Sequence, residues 1–176
     1  MFLNMKVQNA LLMASVALAT VFSATAAQAG GSVSASASVS VTILAPVTLQ
    51  ATQVLDFGAV IKPGNAGANT VAIDPDSHVT VSGAGDAARS AGAVSAAKFD
   101  VVGEAGITYT TTQSLMFDQP GLTHISASAP RVTSGAPGII PASGRQELRF
   151  GGAFDISAAT PAQAYSGALT VTVNYN

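Results

Sequence analysis

His78 and His124 are the residues of this chain best suited to exchange protons at neutral pH, so a nucleophilic site would have to gather around one of them. A serine nucleophile needs a histidine against it and an acid behind that histidine, and the sequence contains no Gly-x-Ser-x-Gly elbow to present one. The many serines imply nothing, because serine is the polar half of the strand pattern described below. Thiol catalysis and disulfides are excluded, since the chain has no cysteine. Asp74, Asp76 and His78 sit at alternate positions, which would point three ligands to one side of an extended segment, as an oxygen-rich calcium site requires. Asp-Pro-Asp-Ser is also good turn chemistry between two strands, and that is the reading taken. The glycines at 83, 85, 151 and 152 lack the lysine and following helix of a phosphate loop and read as bends or bulges. The expectation is a protein that is not an enzyme, with no metal and no cofactor.

The elements that would carry any site are set by composition. The chain has 176 residues, 48% of them apolar and only 9% charged, with a formal net charge of -2. That length suits one domain able to bury a full core without staples. Seven Lys plus Arg spread along the chain cannot make the dense basic patch that nucleic acid requires. Abundant Ala, Ser, Thr, Gly and Val with few charges point to a β-rich extracellular protein.

Residues 1–29 have the layout of a secretory signal peptide: Lys6, an apolar run from Leu11 to Phe22, then Ala27-Gln28-Ala29. The run is well short of the roughly 20 residues of a membrane-spanning helix. Cleavage after Ala29 would leave a chain starting at Gly30. It has no cysteine for a lipid anchor, no twin arginine before the run and no apolar helix after the cleavage site. Export without insertion into a membrane is expected.

From residue 30 to 43 the pattern alternates, with Val33, Ala35, Ala37, Val39, Val41 and Ile43 on one parity and serines or Thr42 on the other. Period two over this length predicts a strand with one apolar edge, which must find a sheet to join. Further strands are expected at 47–54, 57–61, 69–73, 78–82, 122–132 and 147–156. Another pair, 94–102 and 107–112, would form a hairpin around 103–106, and 83–92 would be a loop. The final segment alternates again, with Tyr165, Gly167, Leu169, Val171, Val173 and Tyr175 on one parity. Many short strands between polar turns predict an all-β, immunoglobulin-like antiparallel β-sandwich. A membrane barrel would need more aromatics than 7 Phe and 3 Tyr to build two interfacial girdles.

Leu55-Asp56-Phe57-Gly58, followed by Val60 and Pro63-Gly64, together with the closing Tyr165-x-Gly167-x-Leu169-Thr170-Val171-Thr172-Val173-Asn174-Tyr175, resembles the bacterial family catalogued as domain of unknown function 4402. That family is similar to spore coat protein U and to pilin subunits of the chaperone–usher route. The resemblance covers about residues 47–176. It implies an incomplete, pilin-like sandwich at 46–176 preceded by a donor-strand extension at 30–45. A periplasmic chaperone would lend a strand beside the C-terminal strand, and an outer-membrane usher would exchange it for the extension of the next subunit. Val33, Ala35, Ala37, Val39, Val41 and Ile43 would then be donor residues, and the Tyr165–Tyr175 parity one wall of the acceptor groove. The product would be a homopolymeric extracellular fibre serving adhesion or biofilm formation. Two departures are visible: the chain lacks the disulfide of many such pilins, and 32–43 lacks the glycine their donor strands often carry. The alternative is a monomer completed by its own first strand, binding a carbohydrate or protein ligand through 83–92 and 119–121.

Overall fold

Two valine-bearing stretches flank Asp74-Pro75-Asp76-Ser77-His78, and they form the strand pair that this turn chemistry demands. Asp74 Oδ1 accepts the N–H groups of Asp76 and His78 at 2.9 and 2.8 Å, and Ser77 takes a positive φ of 70° to close the turn. In the computed structural model, which describes residues 34–175, every regular element among those residues is a β-strand. In chain order they are β1 (Thr48–Gln53), β2 (Val60–Ile61), β3 (Asn69–Ile73), β4 (Val79–Gly83), β5 (Ala88–Arg89) and β6 (Ala97–Val102). Then follow β7 (Tyr109–Phe117), β8 (Thr123–Ala127), β9 (Arg131–Val132), β10 (Arg145–Phe150), β11 (Gly152–Ile156) and β12 (Gly167–Tyr175). All the strand ladders are antiparallel. The domain is a β-sandwich.

One layer consists of two four-stranded sheets, β1-β6-β10-β9 and β4-β3-β11-β8, joined end to end because β10 and β11 are consecutive around Gly151. The break at Gly151 replaces the single strand expected at 147–156. A Cβ there would stand 1.9 Å from the Ile73 carbonyl oxygen, so only glycine lets the chain pass from one sheet to the other. The strand expected at 122–132 divides likewise into β8 and β9, which belong to different sheets, with Pro130 between them removing a ladder donor.

The second layer is the β7–β12 ladder, nine residue pairs long, running from Gly167↔Phe117 to Tyr175↔Tyr109. It covers two cores. One contains Phe57, Val71, Ile73, Leu115, Phe154 and Ile156, and the other Ala97, Val101, Tyr109, Ile140, Leu148 and Phe150. Leu55 and Leu169 pack against both. Inward and outward residues alternate as period two requires, which is why valine, isoleucine and phenylalanine fall on single parities of β3, β10 and β11.

The expected hairpin of 94–102 with 107–112 does not form: β6 lies between β1 and β10, while β7 pairs with β12. Gly103 N–H donates to the Gly144 carbonyl and Gly106 N–H to the Ile140 carbonyl, so the connection crosses from one layer to the other instead of folding back. The strand expected at 57–61 is reduced to β2, because Gly58 adopts φ 70° under an Asp56 side chain that accepts its N–H. The loop expected at 83–92 contains β5, paired with β2.

The alternating segment ahead of the body behaves differently from it. Residues 34–43 carry no strand and are exposed throughout, Val39 at 92%. The strand expected there is not formed in the single chain, since a ladder needs a partner. The signal peptide expected at 1–29, and Val33, lie outside the described residues.

Candidate functional site: an open apolar groove

β12 has a partner on one side only among the described residues, and so does β1. Both contribute to the lining of a hollow of about 920 Å³, β1 through Ala51 and Gln53 and β12 through Gly167, Ala168 and Leu169. One wall is the chain from β1 through Leu55 and Gly58 to Lys62, and the other is the start of β12, Gly167 to Leu169. The floor is aromatic. Phe57 and Phe154 meet edge to face with centroids 4.9 Å apart, and Phe117 stands 5.5 Å from Phe154 and 6.3 Å from Phe57. Such pairs add about 0.5–1.5 kcal/mol each beyond their area.

The far end is closed by the strap 157–166. Ser157 N–H donates to Thr160 Oγ1 at 2.9 Å, which fixes a tight turn, and Tyr165 donates its hydroxyl to the Pro161 carbonyl at 2.9 Å. Gln119 grips the strap's exit, accepting Ser166 N–H at 2.7 Å. From the opposite wall the Lys62 ammonium donates to the Ala158 and Thr160 carbonyls at 2.8 and 3.0 Å. The charge at this end is therefore already committed. Asp56, the other charged lining residue, caps Gly58 N–H at 2.8 Å. A largely apolar trough lined by two strands with an unpaired edge each, its two charged groups already hydrogen-bonded, suits an extended apolar segment with alternate side chains pointing down.

The sequence-derived wall residues fall into two groups. Tyr165, Gly167 and Leu169 line the hollow, whereas Val171 and Val173 pack onto the second core and Tyr175 is 59% exposed. Leu55, Phe57 and Gly58, singled out as a motif, form the opposite wall and part of the floor. Of the donor parity, Ala35, Ala37, Val39, Val41 and Ile43 are exposed. Sequence reasoning missed Lys62 and the strap. Lys62 had been absorbed into a turn signal, and its carbonyl partners have no side-chain signature.

The other candidates have their polar groups engaged. Asp74 holds its own turn and contacts His78 Nδ1 at 3.0 Å, while Asp76 pairs with Arg131 and lies 3.8 Å from Arg149. The turn reading of this triplet accounts for all three. The His78 backbone N–H holds the Asp74 carboxyl below its usual range. His124 sits apart, 2.8 Å from Asp155. In the 83–92 loop, Asp86 accepts Gly64 N–H at 2.7 Å and Asn65 N–H at 3.2 Å, and these bonds hold its carboxyl below the usual range. Gln119, in the other loop considered for ligand binding, is taken up by Ser166.

Residues 47–175 match the model of a family described as a domain of unknown function (DUF4402). No curated protein and no solved structure matches the chain.

Proposed function

The chain belongs to the family described as a domain of unknown function (DUF4402), whose span begins at residue 47, after the exposed alternating segment, and from that division we propose a fibre subunit. In this reading the body is an exported, incomplete pilin-like sandwich, and residues 30–43 of one copy complete the groove of the next. The contact is heterologous and does not close on itself, so one surface repeated builds a filament. A periplasmic chaperone occupies the groove in transit, an outer-membrane usher directs the exchange, and the fibre serves attachment or biofilm formation at the cell surface.

The observation that carries this reading is that β1 and β12, each partnered on one side only among the described residues, line one largely apolar trough. Exposed strand edges over a hydrophobic floor are ordinarily covered, because they template association. The exposure of Val39, Val41 and Ile43 at 92%, 83% and 88% supports a segment kept for a partner. Fully burying one such side chain is worth about 1.5–3 kcal/mol.

The test compares unheated and boiled samples of mature protein from the cell surface on a denaturing gel, beside a variant lacking 30–43. A ladder that boiling collapses, and that the deletion abolishes, is expected. A monomer band in both unheated samples would sink the reading and favour a domain completed by its own strand.

A further inference from the structure

Side-chain size runs in opposite directions along the two strands that the fibre reading brings together. On the parity of β12 that carries the half-buried Leu169, Val171 and Val173, the end beside the hollow is the smallest residue, Gly167, and the other end the largest, the exposed Tyr175. On the apolar parity of the extension size rises from Ala35 and Ala37 through Val39 and Val41 to Ile43. The hollow shares this asymmetry. Gly167 and Leu169 line it together with Phe57, Phe117 and Phe154, and it does not extend to Val171. Gly167 cannot be enlarged to fill it from within, since a Cβ there would stand 2.0 Å from the Met116 carbonyl oxygen.

We infer that the neighbouring copy's extension lies antiparallel to β12 in one register: Ile43 beside Gly167, Val41 beside Leu169, Val39 beside Val171, Ala37 beside Val173 and Ala35 beside Tyr175. The inference rests on the fibre reading and specifies its interface. At both ends the larger side chain then meets the smaller one, Ile43 beside Gly167 and Ala35 beside Tyr175, with residues of middle size paired between them, and the largest donor residue enters the hollow. The reverse direction would set Val33 and Ala35 over the aromatic floor and Val41 against Tyr175, leaving a void at one end and a crowd at the other. The ladder also ends where it must. Three residues beyond Ile43, Pro46 has no N–H to donate, and in this register it falls past Gly167 at the strap end. The serine parity and Thr42 face water alongside Ala168, Thr170, Thr172 and Asn174, all exposed. Residues 30–44 contain no charged side chain, which matches a trough whose two charged groups, Lys62 and Asp56, are already hydrogen-bonded within the chain.

The chain has no cysteine, so engineered pairs report register without interference. Directly opposed strand residues have Cβ atoms about 4.5–5.5 Å apart and diagonal ones about 7–8 Å, and a disulfide tolerates about 3.5–4.5 Å, so only opposed pairs come near enough. Three variants are oxidised after assembly: Ser40→Cys with Thr170→Cys, Ser38→Cys with Thr170→Cys, and Ser36→Cys with Thr170→Cys. The first is expected to give a ladder that survives boiling and collapses with reductant. Linking in the second instead would overturn the register, linking in the third the direction, and a heat-sensitive ladder that links in none would overturn the assignment. If the cysteine-free parent makes no heat-sensitive ladder, the fibre reading falls and takes the register with it. As a second measurement, Ile43→Ala should shorten the lifetime of the unheated ladder about tenfold or more, while Ala35→Gly should change it little. Equal effects would count against the size gradient.

Discussion

The Tyr109 hydroxyl donates to Gln146 Oε1 inside the second core, and Gln146 Nε2 passes the connection on to the Ser134 and Ala136 carbonyls at 2.6 and 3.1 Å. Tyr109 is 4% exposed and Gln146 fully buried, so the amide can stand there only because each of its atoms has a partner. The phenol thereby ties β7, in one layer, to β10 and the 133–136 loop, in the other.

Tyr109→Phe leaves Gln146 Oε1 buried and unpaired, which costs about 1–3 kcal/mol. Urea denaturation should show that loss at neutral pH. Burial raises the Tyr109 phenol above its usual value. The folded chain therefore holds this proton beyond about pH 10, where unfolded tyrosine releases it, so stability is fully present below that pH and falls as pH rises toward the folded value. The variant should lack this part of the alkaline decline. An unchanged urea midpoint would show that the bond contributes nothing.

At the sheet junction, Gly151→Ala must move β3 or β11, because its Cβ would meet backbone rather than a yielding side chain. Overpacking of this kind costs about 1–3 kcal/mol or more. Gly64→Ala is the control, as its nearest neighbour is the Asp86 carboxylate at an ordinary 3.7 Å. Thermal unfolding should separate the two clearly, and similar melting temperatures would contradict the close approach.

How much of this was legible in the sequence depends on what periodicity can encode. β3 and β4 were readable almost to the residue, because alternation ended at turn residues on both sides. The inward parity of β12 was readable for the same reason. Alternation specifies which face is buried but not which strand lies alongside, so β6 and β7 looked like hairpin partners although they lie in different layers. The glycines at 151 and 152 were readable as a bend or bulge, but not as the point where one expected strand divides between two sheets, because that division answers to the Ile73 carbonyl, far away in sequence. Half of the groove was accessible through β12 and the Leu55-Phe57-Gly58 motif. The strap was not, since Lys62 binds main-chain oxygens.

Asp86 governs an acid-sensitive join between two loops. Its carboxyl is held low by the N–H groups of Asn65 and Gly64, so the folded state loses a proton that the unfolded chain still binds near pH 4. The stabilisation is present above that pH and disappears as pH falls through the folded value. Asp86→Asn should lower stability at pH 7 and make the remaining stability less steep as pH falls below about 4. Parallel acid-unfolding curves for parent and variant would refute the assignment.

Lys62→Met tests whether the clasp matters to the groove or only to the fold. The methionine keeps most of the aliphatic stem but loses both bonds to the strap, and with the head at the surface the stability cost should be small, about 1 kcal/mol. If the clasp holds the trough open for an incoming strand, ladder formation should slow by more than that loss of stability explains, with little change in the ladder once formed. A rate that follows stability alone would make Lys62 an ordinary tie between two loops. The comparison is decisive because the wall reaches the strap through the Ala158 and Thr160 carbonyl oxygens: among the described residues, nothing on the 54–62 wall but the ammonium is bonded to them.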